Sequence, residues 1–78
     1  MDIRSKIGRR IKSLRAEKGL SQNDLAFYAG IDRSYLAGIE NGKRNVTVLI
    51  LEKVITALET TVKKFFDDPA FEEQKEIK

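Results

Sequence analysis

The sequence predicts an all-α domain of five short helices, and three observations carry that reading. Apolar residues recur at steps of three and four, with no strand-like alternation. The apolar segments open on Asp, Ser or Thr, and the first three close on glycine or Asn-Gly, as helix ends prefer. Within 78 residues there is no internal repeat and no long linker, so the chain is one compact domain.

The first segment places Ile3, Ile7, Ile11 and Leu14 on one helix face. Asp2 caps its start. Lys18 stands in its last turn, Gly19 suits the left-handed position after it, and Leu20 supplies the apolar contact beyond. Gly8 lies inside this helix at a cost of about 1 kcal/mol against Ala. It marks either close approach of another backbone or a tolerated exposed position. The second segment opens with Ser21 as cap and Asp24 three residues on, a capping-box-like start. Leu25, Ala26 and Ala29 face inward, and Gly30 ends it. The third has Asp32 as cap, then Tyr35, Leu36 and Ile39, and stops at Asn41-Gly42. The fourth runs from Thr47 to Leu58 with an apolar stripe of Val48, Leu51, Val54, Ile55 and Leu58. Ile50 borders that stripe and Leu49 falls outside it. The fifth covers Val62 to Phe66 behind Thr61. Asp68-Pro69 starts one further turn with Phe71 as anchor, and the charged tail to Lys78 frays. The expected division is residues 1–66 as the domain and 67–78 as a turn or short helix with a tail.

Composition narrows the function. Histidine and cysteine are absent, which excludes disulfides, thiolate or imidazole metal sites, and Ser-His-Asp chemistry. No metal and no cofactor are expected. Apolar runs such as Val48–Leu51 are far shorter than the roughly 20 residues needed to span a bilayer. The start carries no signal-peptide pattern. A soluble, cytoplasmic protein without membrane contact is therefore expected. Residues 1–44 carry ten Lys/Arg against five Asp/Glu, whereas 45–78 carry five against seven. The basic front half suits a polyanion, although two solvated helix faces would give the same count.

The chemistry concentrates at Gln22–Asn41. Two short helices meet at a turn built on Gly30, the geometry of a DNA-binding helix-turn-helix. Ala26 is small where the second of the pair must pack closely. Gly30 accepts the positive φ of the turn. Ile31, Leu36 and Ile39 are the apolar pegs that hold the crossing angle.

These residues, with Ser21-Gln22, Leu25-Ala26, Ile39-Glu40-Asn41-Gly42-Lys43-Arg44 and the Leu51 to Leu58 stripe, resemble the Cro and phage-repressor-like (XRE) helix-turn-helix family. The likeness covers roughly residues 5–66. Within that family, Asp32-Arg-Ser-Tyr-Leu-Ala-Gly-Ile-Glu40 and the Phe65-Phe66 ending are similar to the controller proteins of restriction–modification systems. The resemblance implies a lambda-repressor-like five-helix domain that binds double-stranded DNA as a homodimer. Its recognition helix, here Arg33 to about Glu40, enters the major groove. Arg33, Ser34 and Tyr35 then face base edges, and Arg33 can donate two hydrogen bonds to guanine. Position 38 is often a base reader in relatives but is glycine here. Gln22, at the start of the preceding helix, suits a phosphate, as do Lys43, Arg44 and Asn45. The resemblance also pairs Glu40 with Arg15, a structural ion pair. Tyr35 has a second reading as surface cover, and Lys43 and Arg44 a second reading as solvated loop.

The function expected on this basis is a sequence-specific transcriptional regulator on a near-palindromic operator, controlling a restriction–modification operon. The alternatives are a phage-type or host repressor, or a protein-interaction module that keeps the fold without binding DNA. Enzymatic activity is not expected: the acid pairs Asp67-Asp68 and Glu72-Glu73 have no nucleophile or pocket nearby. With no sensor domain in this length, no small-molecule effector is expected either. Leu49, Ile50, Phe65 and Phe66 exceed what a small core needs and are expected to meet a second copy across a two-fold axis. Phe27 is expected to be half-buried, with Tyr28 an exposed edge residue.

Overall fold

The computed structural model describes residues 2–72. It contains α1 (Ile3–Lys18), α2 (Gln22–Ala29), α3 (Arg33–Glu40), α4 (Val48–Ala57) and α5 (Val62–Phe66), followed by a 3-10 turn, Pro69–Phe71. No strand occurs among the described residues. The charged tail beyond Glu72 lies outside them.

Side-chain caps set four of the five helix starts. Asp2, Ser21, Thr47 and Thr61 each accept the backbone N–H three residues on, at 3.0–3.2 Å. Asp24 completes a capping box by accepting the Ser21 N–H at 3.1 Å. Each such cap stabilises a helix by about 1 kcal/mol. A hydrogen bond from the Arg4 guanidinium, then the Ser5 N–H, holds the Asp2 carboxyl below the usual carboxylate range. Asp32 departs from this pattern. It occupies the N-cap position of α3, but its carboxylate makes no cap bond and instead accepts from the Ser34 hydroxyl at 3.1 Å.

Gly30 ends α2 with φ +70°, and the turn closes as Ile31 N–H donates to Ala26 O at 3.0 Å. A side chain at that φ would be strained. The turn reverses the chain within three residues and sets α3 across α2.

The core draws on every helix. Ile7, Ile11 and Leu14 come from α1, Leu25, Ala26 and Ala29 from α2, and Leu36 and Ile39 from α3. Val54, Ile55 and Leu58 close it from α4 and Phe65 from α5. Gly8 resolves as a close-packing position. A Cβ there would overlap the Ile39 carbonyl oxygen and lie 2.5 Å from that of Glu40. The α1 and α3 backbones are therefore in direct contact.

Three apolar expectations need correction. Phe65 is fully buried and belongs to the core, so it is unavailable to a second copy. The five-residue α5 turns this ring inward, while Phe66, one position on, stays half-buried with its ring centroid 4.9 Å from that of Phe71. Val48 is 83% exposed, because the first turn of α4 projects past the core that Leu51, Val54, Ile55 and Leu58 address. Phe27 is 80% exposed rather than half-buried; its own helix turns Leu25, Ala26 and Ala29 to the core instead.

Candidate nucleic-acid interface

The helix-turn-helix pair is held to α1 by one carboxylate. The Glu40 side chain has no exposed surface. Its oxygens accept Arg15 Nε at 2.8 Å and Nη2 at 3.0 Å, a two-pronged pairing. The third donor is Gln22 Nε2, at 2.9 Å from Oε1. Arg15 Nη1 also caps the Leu20 carbonyl at 3.0 Å. The buried charge is thus matched by a cation and two kinds of donor, which is what burial demands. One residue from each of α1 and α2 converges on the last residue of α3.

This arrangement changes the reading of Gln22. Its carboxamide nitrogen gives one of its two N–H groups to Glu40, so the side chain is also a structural link between α2 and α3. What remains for an anion at this helix start is the other amide N–H of Gln22 and the backbone N–H groups of Gln22 and Asn23, since those of Ser21 and Asp24 are spent in the capping box.

The opposite end of α3 is open. Arg33 and Ser34 are exposed in its first turn. Arg33 projects from a rigid element, which suits a two-pronged contact with a guanine edge. The Ser34 hydroxyl is turned back onto Asp32.

Tyr35 is half-buried and is joined to the loop after α3. Its hydroxyl donates to the Asn45 carbonyl oxygen at 3.1 Å. The Arg44 guanidinium carbon lies 5.2 Å from the centre of the Tyr35 ring, within cation–π range. Lys43 and Arg44 N–H both donate to Gly38 O, at 2.9 and 3.2 Å. The basic loop is therefore fastened to the exposed side of α3, and the side chains of Lys43, Arg44 and Asn45 are exposed there. Tyr35, Lys43, Arg44 and Asn45 form one group. Arg33 and Ser34 lie at the same helix's start, and Arg15, Gln22 and Glu40 form a separate inner group.

One contact had no sequence signal. Arg10 Nε donates to Phe65 O at 2.7 Å, Nη2 donates to Lys64 O at 2.9 Å, and Nη1 pairs with Asp68 at 3.2 Å. This guanidinium satisfies the Phe65 carbonyl and adds a second donor to that of Lys64, which also accepts the Asp67 N–H at 3.2 Å.

The candidate dimer residues of α4 and α5 keep apolar surface. Leu49 is 72% exposed, and Ile50 and Phe66 are half-buried. Among the described residues no helix is long and apolar enough to cross a membrane.

This architecture recurs in known proteins. Control protein C.MunI of Mycoplasma sp is 44% identical over 68 residues, which span 86% of this chain and 92% of that protein. The crystal structure of the restriction–modification controller protein C.AhdI from Aeromonas hydrophila superposes with a TM-score of 0.78 at 46% identity. It covers 81% of this chain and 96% of that one. The controller protein C.Esp1396I, solved as a tetramer in complex with its natural 35 base-pair operator, gives a TM-score of 0.82 at 40% identity. There the coverage is 86% of this chain and 88% of that one. The family model described as "Helix-turn-helix" matches residues 11–65, which include all of α2 and α3 and the Glu40 group, and the chain belongs to that helix-turn-helix family.

Proposed function

We propose that this protein is a sequence-specific, DNA-binding transcriptional regulator that acts as a homodimer on a near-palindromic operator and controls a restriction–modification operon. The observation that carries this reading is the open face of α3. An exposed Arg33 stands at the helix start and a fastened basic loop at its other end, on a scaffold shared with controller proteins, one of them solved on its operator. Arg33, Ser34 and Tyr35 are the base-edge candidates. Gln22, with the open N–H groups at the start of α2, and Lys43, Arg44 and Asn45 contact phosphates. The protein works by occupancy and carries out no chemical step; its level sets how much operator is filled.

Selection of bound DNA from a random pool tests the core of this reading. A short near-palindrome should emerge. Recovery of no consensus, with weak binding unchanged by salt, would favour an interaction module instead.

Loop replacements give a second test. Lys43→Ala should weaken selected and scrambled DNA about equally and reduce the slope of log affinity against log salt by about one. An unchanged slope removes Lys43 from the phosphate contacts.

The dimer follows from Leu49, Ile50 and Phe66. An apolar group of this kind on a small surface is best covered by a second copy, and two recognition helices can then sit about 34 Å apart, one turn of DNA. Ile50→Asp should shift the protein towards monomer in sedimentation equilibrium while leaving it folded. Unchanged self-association in Ile50→Asp and in Phe66→Ala would place the interface elsewhere.

A further inference from the structure

The exposed side of α3 carries a position with no side chain, Gly38, and that position is occupied. A Cβ on Gly38 would overlap the Arg44 Cγ and lie 3.4 and 3.5 Å from its Cβ and Cδ. The Arg44 stem therefore crosses the helix at the one place where α3 offers no side chain. From there its guanidinium reaches the Tyr35 ring, 5.2 Å from the centroid. The Gly38 carbonyl accepts both loop N–H groups, and the Tyr35 hydroxyl donates to the Asn45 carbonyl. Helix and loop thus grip each other around a single long side chain.

A free arginine carries much rotamer entropy, and ordering it on contact with a ligand costs affinity. Here the stem packs on Gly38 and the guanidinium lies over the Tyr35 ring, so part of that freedom is already lost in the free protein. The three partners that remove it are Gly38, Tyr35 and the loop backbone.

We infer that Gly38 and Tyr35 are positioning residues that hold Arg44 ready for a DNA phosphate, with Gly38 acting solely by leaving room for the Arg44 stem. This deepens the reading of the protein as a DNA-binding regulator and rests on it. It also assigns a role to a position where a base-reading side chain is missing.

Alanine suits the test because it separates fold from function. Inside a helix Ala is more favourable than Gly, and the obstacle it meets is a side chain that can swing into water. Gly38→Ala should therefore melt at or above the parent's temperature. Its affinity should nevertheless fall about two- to tenfold, the loss of one ordered long side chain. That fall should be equal on selected and scrambled DNA. The salt slope should stay at the parent's value, because the charge is still present, whereas Arg44→Ala lowers it by about one.

The deciding measurement is Gly38→Ala in the Arg44→Ala background. With no stem to displace, it should have no effect within twofold. An equal loss in both backgrounds would mean that the new methyl group obstructs DNA itself, and would overturn the inference. So would full affinity in Gly38→Ala alone. The seat can also be read without DNA. The Arg44 side-chain protons should be shifted by the Tyr35 ring current in the parent, and should lose that shift in both Gly38→Ala and Tyr35→Leu. A persistent shift in Gly38→Ala overturns the seat directly. A parent that binds no selected DNA would defeat the regulator reading while this spectrum still reports on Gly38.

Discussion

Glu40→Ala should destabilise the protein by about 3–5 kcal/mol, the usual cost of removing one member of a buried ion pair. The truncation leaves Arg15 facing a cavity with no acceptor for Nε and Nη2, and it leaves Gln22 Nε2 unpaired. A domain of 78 residues has a total stability of about 4–12 kcal/mol. The variant should therefore melt at least about 12 °C lower, since 1 kcal/mol moves a domain of this size by about 4–8 °C. Glu40→Gln keeps the shape and one acceptor and should fall between the two. Thermal melts by circular dichroism check this, and a change of only a degree or two would mean that water replaces the carboxylate. The loss should extend beyond stability. Glu40 is the last residue of α3, so loosening it loosens the orientation of the whole recognition helix.

Arg33→Ala should act in the opposite way, on specificity with the fold intact. Arg33 is exposed in the first turn of α3. A two-pronged arginine–guanine contact contributes about 1–3 kcal/mol of discrimination. The ratio of affinities for selected and scrambled DNA should fall about five- to 150-fold, while scrambled DNA loses little more than one charge contact. Titration of both DNAs at one fixed salt concentration gives the ratio. An unchanged ratio would transfer the reading of bases to Tyr35 and to DNA shape. Arg33→Lys is informative beside it. Lysine keeps the charge but not the planar fork, so it should restore affinity more than discrimination.

Much of the architecture is written locally. Helix starts are legible because a cap acts over three residues, and Ser21 with Asp24 shows it directly. The turn at Gly30 is legible for the same reason. What escaped involves the direction of a side chain once the helices have docked. Phe65 and Phe66 are neighbours of the same type, and only the azimuth of a five-residue helix decides which enters the core. Val48 fits the stripe of α4 by spacing, yet the core ends before it. Phe27 sits on a helix whose inner face is filled by the smaller Leu25, Ala26 and Ala29. At the candidate interface, Arg33 and the basic loop could be picked out through the family resemblance. The use of Gln22 could not, because its partner is eighteen residues away on another helix. The occupied vacancy at Gly38 was equally hidden: an absent side chain gives no hint of what fills it.

The Arg10 clasp bears on the order in which a growing chain completes itself. Its three acceptors lie 54 to 58 residues further along the sequence. The contacts between α2 and α3 span a short turn and need little loop closure, whereas the clasp needs the longest closure described here. On a ribosome, which releases the N-terminal part first, the DNA-facing helices are already outside while the Phe65 pocket is still empty. The later elements, α5 and the turn at Asp68, fill that pocket and take up the Arg10 guanidinium. A nascent chain stopped just short of α5 therefore holds Arg33 and the basic loop and lacks the closure of its core.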